Sequence, residues 1–364
     1  MDGGLDRFKQ TIREPFVQAI LILCALLLLG LLWGDFPEDG RVGRAKWVKY
    51  FVLLIFIPFY SLLNKERLPW VIGALLTNYF GVLAIGVYYW LVMGDQGIPP
   101  LRMSYLGFSA MLGIGIIVAS YLTFLCQSVK LRIVSGSVVL VLLLVQFHQN
   151  GRLLLLATLI AVIFLVFLRY RMEVRKFMGI FVSVLMITTI FASGSSVFQD
   201  RWAQVKSDIE LLQQGDYRSS LGYRIAIWDV GLHGIAERPL WGHGTGAPES
   251  YFEHTIVTYK NGIYKNLPEF QKTSHYHNDW IEIGMHIGIL GILALLFLYW
   301  NWYQIFKKNQ LGMLGAGLLS YIFLAGLTDA FIIFSKIPIL LLMITAIAIS
   351  WQKSNLNNHY QRTA

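Results

Sequence analysis

The sequence of 364 residues has little charge and little cysteine. Charged residues make up 14% of the chain, whereas soluble proteins average about 25%. The two cysteines, Cys24 and Cys126, lie far apart within apolar runs, which excludes a disulfide framework and a cysteine-based metal site. A disordered chain is excluded as well, because such chains combine high charge with low hydrophobicity.

Two motifs of enzyme chemistry are also missing. There is no Gly-x-Ser-x-Gly stretch of the kind that carries a nucleophilic serine. No glycine-rich loop is followed by the Lys-Ser/Thr pair that binds nucleotide phosphates. The sequence therefore predicts no cofactor.

Apolar residues, by contrast, are abundant, at 56% of the chain with a mean hydropathy of +0.57. Ten runs approach the roughly 20 apolar residues that a membrane-spanning helix needs. They cover residues 16–33, 48–63, 70–93, 105–128, 133–147, 153–168, 177–192, 279–300, 311–327 and 337–351. The runs are solid rather than alternating, which argues against a barrel. We predict an all-α polytopic membrane protein with about ten transmembrane helices.

The domain organisation follows from these runs. We predict N-terminal transmembrane helices in 1–132, central ones in 133–192, a large and mainly helical loop in 193–276, C-terminal transmembrane helices in 277–351, and a cytoplasmic tail in 352–364. Within the loop, residues 198–214 and 223–237 are predicted to be helices, the second ending before Pro239.

Basic residues set the orientation of such a protein, because short cytoplasmic segments carry most of them. With both termini inside, the short cytoplasmic segments hold 15 basic residues and the short outer ones hold seven. The large loop then lies on the outer side. The formal charge of +9 is thus a feature of membrane topology, and no nucleic-acid partner is predicted.

The junction between the large loop and the eighth apolar run carries candidate chemistry. If it is helical, His277 shares a face with Gly284, Gly288 and Gly291, and those glycines allow another helix to approach closely. A histidine there suits general-base work on a sugar hydroxyl. The competing interpretation is that His277 anchors the end of the helix at the membrane surface.

Three neighbours of His277 are supporting candidates. Asn278 is a plausible helix N-cap, which would be a structural role. Glu282 and His286 are spaced i,i+4 and could pair within the span, either for function or as a mutually satisfied structural pair. His275 and His277 lack a third metal ligand nearby in the sequence, so no metal site is predicted.

The loop itself contributes Arg224 and a glycine pattern at Gly242, Gly244 and Gly246. Alternate glycines permit a turn whose backbone amides hold an anion, although a plain flexible turn is the simpler interpretation. Arg224 could clamp a phosphate, or it could pair with Asp229 or Glu253. Arg152 could bind an anion or lie at the membrane interface as an ordinary snorkelling arginine. The predicted topology puts Arg152, Arg224 and His277 on one side, which suits a diphosphate-bearing lipid substrate.

These residues together resemble a known family. His277-Asn278, nine residues, and then Gly288-Ile289-Leu290-Gly291 is similar to the signature of the O-antigen ligase and polymerase superfamily. Arg224 with Trp228, followed by Pro239-Leu240-Trp241-Gly242, looks like that family's long periplasmic loop. Arg152 resembles the arginine of its preceding short loop.

The resemblance implies a GT-C-like, metal-independent, inverting glycosyltransferase of the bacterial inner membrane. It implies that a glycan passes from undecaprenyl diphosphate to lipid A–core oligosaccharide, or to another hydroxyl acceptor, at the periplasmic face. Arg152 and Arg224 would then bind the donor diphosphate, His277 would be the base, and membrane lipids would surround the protein.

Three alternatives stay open at this point. A polymerase of lipid-linked repeat units and a transferase that glycosylates proteins would share the same site. A lipid-glycan flippase or transporter belongs to a different class, and it predicts functional charges near mid-membrane. Here the candidate residues are predicted to lie together at the outer face of the membrane, which favours an enzyme over a transporter.

Overall fold

The computed structural model describes residues 4–34, 46–93, 104–149, 151–271, 275–333 and 336–363, and its regular elements in these ranges are helices. The α-helices are α1 (Gly4–Ile12), α2 (Pro15–Gly30), α3 (Phe56–Leu62), α4 (Leu68–Leu91), α5 (Tyr105–Leu125), α6 (Val129–Phe147), α7 (Arg152–Tyr170), α8 (Val174–Gly194), α9 (Ser196–Gln213), α10 (Ser220–Glu237), α11 (Pro248–Thr255), α12 (Leu267–Phe270), α13 (Asp279–Lys308), α14 (Gly312–Gly326) and α15 (Lys336–Thr363). Short 3-10 segments cover Lys46–Ile55, Tyr259–Gly262 and Phe331–Ile333.

Seven of the described helices are long and apolar enough to cross a membrane, namely α4, α5, α6, α7, α8, α13 and the first part of α15. A bent pair, α1 and α2 at 71°, makes an eighth candidate, and Trp47–Leu62 and Gly312–Gly326 are shorter apolar helices. Each of the ten predicted runs coincides with one of these elements. The protein is therefore an all-α polytopic membrane protein, as predicted.

The central core is formed by the helices nearest to α13. Helix α2 packs along α13, α5 lies between α6 and α7, and α14 bridges α7 and α13. In contrast, no residue of α8 is buried, so this helix presents its apolar surface outward. A span with no burial inside the protein has lipid as its natural neighbour.

The long loop folds into helices that cover the start of α13. Ser195 caps α9 by accepting a hydrogen bond from the Phe198 amide, and Ser219 caps α10 in the same way from Gly222. Both predicted loop helices are thus confirmed. Apolar residues of α10, α11 and α12 form a second core together with Tyr276 and the first two turns of α13.

Helix α13 differs from the prediction in two ways. It begins at Asp279, so His277 precedes it, with a positive φ of 46°. It is also interrupted at Ile287 and Gly288, where Gly288 adopts φ 61° and ψ −152°. The expected face that joins His277 to the three glycines therefore does not exist, because helical periodicity holds only within a continuous helix.

The three glycines of α13 allow close approach, but to different partners. A Cβ on Gly284 would meet the Ile235 side chain of α10, whereas one on Gly288 would meet the backbone of Leu240. Gly291 is crowded by its own helix. The predicted single helix–helix seam is replaced by contacts of α13 with the long loop.

Candidate active site

His277 lies at the junction of the long loop and α13, in a backbone conformation that non-glycine residues rarely adopt. Such a conformation costs of order 1–3 kcal/mol and persists only where the surroundings enforce it. Asn278, on its C-terminal side, caps α13 by accepting hydrogen bonds from the Trp280 and Ile281 amides. The Asn278 amide group also donates to the Leu327 carbonyl at 3.1 Å. The predicted N-cap is confirmed, and it anchors His277 from one side.

Tyr276, the residue before His277, is held through both its backbone N–H and its carbonyl. The Tyr276 amide donates to Glu282 Oε2 at 2.8 Å, and the Trp228 indole Nε1 donates to the Tyr276 carbonyl at 2.9 Å. Trp228 belongs to α10 and Glu282 to α13, so two helices fix the segment that carries His277. Glu282 thereby positions the backbone rather than the reacting groups.

Asp329, in the link between α14 and α15, is the hydrogen-bond partner of the histidine pair. Its Oδ1 accepts from His277 Nδ1 at 3.1 Å and from His275 Nε2 at 2.8 Å. The Asp329 side chain is 2% exposed. Its other oxygen, Oδ2, is buried and accepts no hydrogen bond from the residues described. This carboxylate is therefore available to stabilise positive charge on either imidazole.

The hydrogen bond to Asp329 decides which nitrogen of His277 can act as a base. A carboxylate only accepts, so the proton sits on Nδ1 and the lone pair on Nε2. Within the described ranges no residue hydrogen-bonds to His277 Nε2. The ring stands nearly perpendicular to Tyr223, with its centroid 6.1 Å away. His277 thus presents an acceptor nitrogen next to α10.

The electrostatic surroundings keep His277 neutral. Burial lowers the pKa of its imidazole below the ordinary value; Asp329 opposes this shift, and the positive charge of Arg224 adds to it. Burial by itself would raise the pKa of Asp329, but hydrogen bonds from His275 and His277 outweigh it and hold that pKa low. The result near neutral pH is an uncharged base beside an ionised carboxylate.

Arg224 lies near the start of α10, one residue after Tyr223. Its Nε is buried and has no hydrogen-bond partner among the described residues, and its one hydrogen bond there is a 3.4 Å contact with Ser220 Oγ. The expected alternative of pairing with Asp229 is wrong, because Asp229 is bound by Lys260, Tyr259 and Tyr264 instead. A buried guanidinium donor without a partner fits an anionic ligand.

Arg152 is the first residue of α7 and lies at the same end of the helix bundle as Arg224. Its guanidinium donates to the Arg201 carbonyl at 2.8 Å, which ties α7 to the loop helix α9. The charge of Arg224 acts on Arg152 just as it acts on His277. The three residues predicted to share one side of the membrane therefore lie at the same end of the helix bundle, and the positive charge of Arg224 acts on the uncharged base.

The glycine pattern has a structural role that differs from the predicted anion site. The loop that contains it enters the break in α13, where the His243 amide donates to the Met285 carbonyl and the Gly244 amide to the His286 carbonyl. The amides of Gly242 and Gly246 also donate within the protein, to the Arg238 carbonyl and to His286 Nδ1. With their N–H groups engaged, these residues are not available to an anion.

Glycine is required at positions 242 and 244 because the backbone of other segments of the protein comes so close. Gly242, Gly244 and Gly246 all have positive φ, and a Cβ on Gly242 would lie 2.6 Å from the Gly288 nitrogen. His286 accepts the Gly246 amide through Nδ1, and its Nε2 lies 3.4 Å from Glu282 Oε1. The predicted i,i+4 contact of Glu282 and His286 is confirmed, and it links the glycine loop to the segment that holds His277.

This arrangement makes Gly288 critical for stability. In Gly288→Ala the new Cβ would lie 2.5 Å from the Leu240 backbone, in a conformation that L-residues avoid. We expect a loss of at least ~1–3 kcal/mol of stability, seen as a lower thermal unfolding midpoint of the detergent-solubilised protein. Gly136→Ala in α6 is the control, since nothing lies within 4 Å of its Cβ. Equal midpoints for the two variants would contradict the role given to the loop.

The histidine pair and its aspartate also have the composition of a metal site. His275, His277 and Asp329 each offer one ligand atom, and these atoms lie within 4.8 Å of one another. The sequence offers no third ligand near the histidines, and the fold supplies it. As hydrogen-bonded here, however, both histidines already satisfy Asp329 Oδ1 without a cation.

Asp329 is the residue that sequence reasoning missed. It lies 52 positions after His277, with two apolar helices between them. One signal was available: no other acidic residue follows Glu282 in the chain. A lone carboxylate between two membrane spans is a candidate functional group.

Comparisons with known proteins match the region that contains this site. A family model described as O-antigen ligase matches residues 137–296, a range that holds Arg152, Arg224 and His277. An O-antigen ligase of Escherichia coli (strain K12) is 29% identical over 226 residues, which is 60% of this chain and 51% of the relative. An uncharacterized protein of Haemophilus influenzae is 29% identical over 124 residues, 34% of this chain and 30% of that one. The matches thus span about half or less of these relatives' length. The predicted resemblance is confirmed: over residues 137–296 the chain is similar to the O-antigen ligase family.

Proposed function

We propose that this protein is an O-antigen ligase that transfers a glycan from undecaprenyl diphosphate to the lipid A–core oligosaccharide. The observation that carries the proposal is the placement of an uncharged, Asp329-bound His277 near Arg224, whose buried Nε has no hydrogen-bond partner among the described residues. A base and an anion-binding group at one spot are what a transfer from a diphosphate to a hydroxyl requires. We also propose that this spot faces the outer side of the membrane, as the basic-residue distribution predicts. The family resemblance implies that this membrane is the bacterial inner membrane and that the outer side is the periplasm.

His277 acts as the general base in the proposed reaction. The acceptor hydroxyl oxygen attacks the anomeric carbon of the donor sugar, and its proton passes to His277 Nε2. The bond from that carbon to the diphosphate oxygen breaks, and undecaprenyl diphosphate leaves with the electron pair. Attack opposite the leaving group inverts the anomeric configuration. Asp329 stabilises the imidazolium that forms.

Arg152 and Arg224 act on the leaving group. Negative charge on the diphosphate grows as the bond breaks, so cationic donors nearby lower the barrier more than they strengthen ground-state binding. The two arginines supply this charge without a metal ion. We therefore expect transfer by the purified protein to continue in the presence of a chelator.

The function is tested by a lipopolysaccharide gel on a strain that lacks the gene, with the lipid-linked glycan pool extracted from the same cells. A ligase is expected to restore the full ladder when wild-type protein is supplied. In its absence the ladder is lost while long polymer accumulates on the carrier lipid. A core that bears one repeat, with long chains missing from both pools, would instead identify a polymerase. An unchanged gel with normal carrier pools would exclude both and direct attention to protein glycosylation or to transport.

Asp329→Asn tests the proposed link between the carboxylate and the base. The carboxylate raises the pKa of His277, so its loss lowers that pKa further. The base then stays neutral down to more acidic pH, and the acid limb of the rate profile moves to lower pH. The plateau rate falls about 10²-fold or more, because the imidazolium loses its stabilising charge. A lower plateau with an unmoved acid limb would mean that Asp329 only supports the fold.

A further inference from the structure

A polar pocket lies at the opposite end of the helix bundle from His277. It is enclosed by α1, by the end of α3 with the residues that follow, and by the end of α15. Lys308 is the last residue of α13, and its ammonium lies 3.5 Å from Glu14 at the edge of the pocket. The pocket is therefore next to the C-terminal end of α13, whereas His277 precedes the N-terminal end. From Ile289 to Lys308, α13 rises by about 30 Å, which is the thickness of a bilayer core. By the predicted orientation this end is cytoplasmic.

The charges that line this α1 pocket favour an anion. Arg7, Lys65 and Lys353 contribute three positive charges, and Glu14 contributes one negative charge. Lys353 Nζ donates to the Tyr60 hydroxyl at 2.8 Å, which holds the ammonium at the pocket wall. Arg7 has no hydrogen-bond partner among the residues described. Serine and threonine hydroxyls complete the lining, so the pocket offers both charge and hydrogen-bond donors.

The size of the pocket points to a small anionic group. Its volume is about 240 Å³, which corresponds to roughly eight water molecules at about 30 Å³ each. Sites for drug-sized ligands start at about 300 Å³. A single phosphate group with part of its substituent fits this space.

Helix α1 indicates where that phosphate comes from. It meets α2 at 71°, as expected for a helix that lies along the membrane surface before the chain turns into a span. Arg7 and Gln10 face the pocket, while the apolar side chains of Leu5 and Phe8 are exposed on the same short helix. Exposed apolar side chains next to a cationic pocket match a ligand with an acyl tail and an anionic head.

We propose that the α1 pocket binds the phosphodiester head group of an anionic phospholipid in the cytoplasmic leaflet. The acyl chains lie against the outer surface of α1, and the head group is bound by Arg7 and Lys353. The lipid fastens the end of α15 to α1 and α3 on the side of the membrane away from the proposed reaction.

The test uses the full-length protein in detergent, with native mass spectrometry to measure bound lipid. Phosphatidylglycerol is expected to bind more tightly than phosphatidylcholine. The double variant Arg7→Gln/Lys353→Gln is expected to weaken binding of phosphatidylglycerol about 30-fold, since each base near a membrane surface contributes roughly a fivefold effect. The control is Lys130→Gln/Lys176→Gln, which removes two exposed charges that do not line the pocket. It should leave binding unchanged.

A second variant guards against misfolding of the first. Gln10 is exposed and lines the pocket, so Gln10→Glu adds a negative charge without removing a contact, and it should also weaken binding of phosphatidylglycerol. Equal binding to wild type, the double variant and Gln10→Glu would overturn the proposal. Displacement of the lipid by millimolar inorganic phosphate would overturn the lipid assignment and leave a free phosphate as the ligand.

Discussion

His277→Gln is expected to reduce glycan transfer about 10²–10⁴-fold, the range for removal of a general base. Glutamine keeps most of the side-chain volume, and its amide N–H can still donate to Asp329, so the local structure should survive. It cannot take a proton from a hydroxyl at neutral pH. The loss should therefore appear in kcat, with the donor KM nearly unchanged. The measurement is transfer by purified protein between lipid-linked glycan and acceptor.

The matched control is His254→Gln, an exposed histidine of the loop helix α11. It undergoes the same chemical change on the same side of the predicted topology, and it should keep wild-type activity. If His277→Gln retained more than about a tenth of the activity, His277 would be an interfacial anchor and the base would lie elsewhere. If the protein is instead a transporter, which needs no base, the variant would retain its transport activity.

The second large effect is expected at the arginines. Hydrogen bonds to charged groups contribute about 1.5–3 kcal/mol each, so Arg224→Gln and Arg152→Gln should each lower kcat about 10–150-fold. Arg224→Lys should recover only part of the loss, because an ammonium keeps the charge but not the bidentate geometry. Arg218→Gln is the control, since Arg218 is an exposed loop arginine paired with Asp216.

The double variant Arg152→Gln/Arg224→Gln separates two explanations. If both side chains bind one diphosphate, the loss in the double variant should differ from the sum of the single losses, because groups that share a ligand couple energetically. Strict additivity would place the arginines on different groups. A loss confined to donor KM would mean that they bind the substrate without favouring the transition state.

The predictability of the site differs from residue to residue. The N-cap role of Asn278 could be predicted from the sequence, because capping needs only a side-chain oxygen and the next two or three backbone amides. The contact of Glu282 with His286 could also be predicted, because residues four apart in a helix lie on the same face. The likeness of His277 to the family signature was also local, since it depends on a short stretch of sequence.

The break in α13 could not be predicted from the residues of α13 alone. Glycine at 288 permits a positive φ but does not require one, and the spacing of the glycines is equally compatible with an unbroken helix. What decides the conformation is the loop around Gly242, whose neighbours donate to the freed carbonyls of Met285 and His286. That loop lies 40 or more positions away in the chain.

By itself the sequence determined the membrane class, the ten apolar helices, the two loop helices and the group of residues at one end of the bundle. These features depend on hydropathy, on caps and on the spacing of neighbours, which act over a few residues. The tertiary structure alone decided that Asp329 orients His277, that the buried Nε of Arg224 has no partner among the residues the structure describes, and that the glycine amides are already engaged. Each of these features depends on how distant segments of the chain lie against one another. Their interaction energies arise only once the helices have packed.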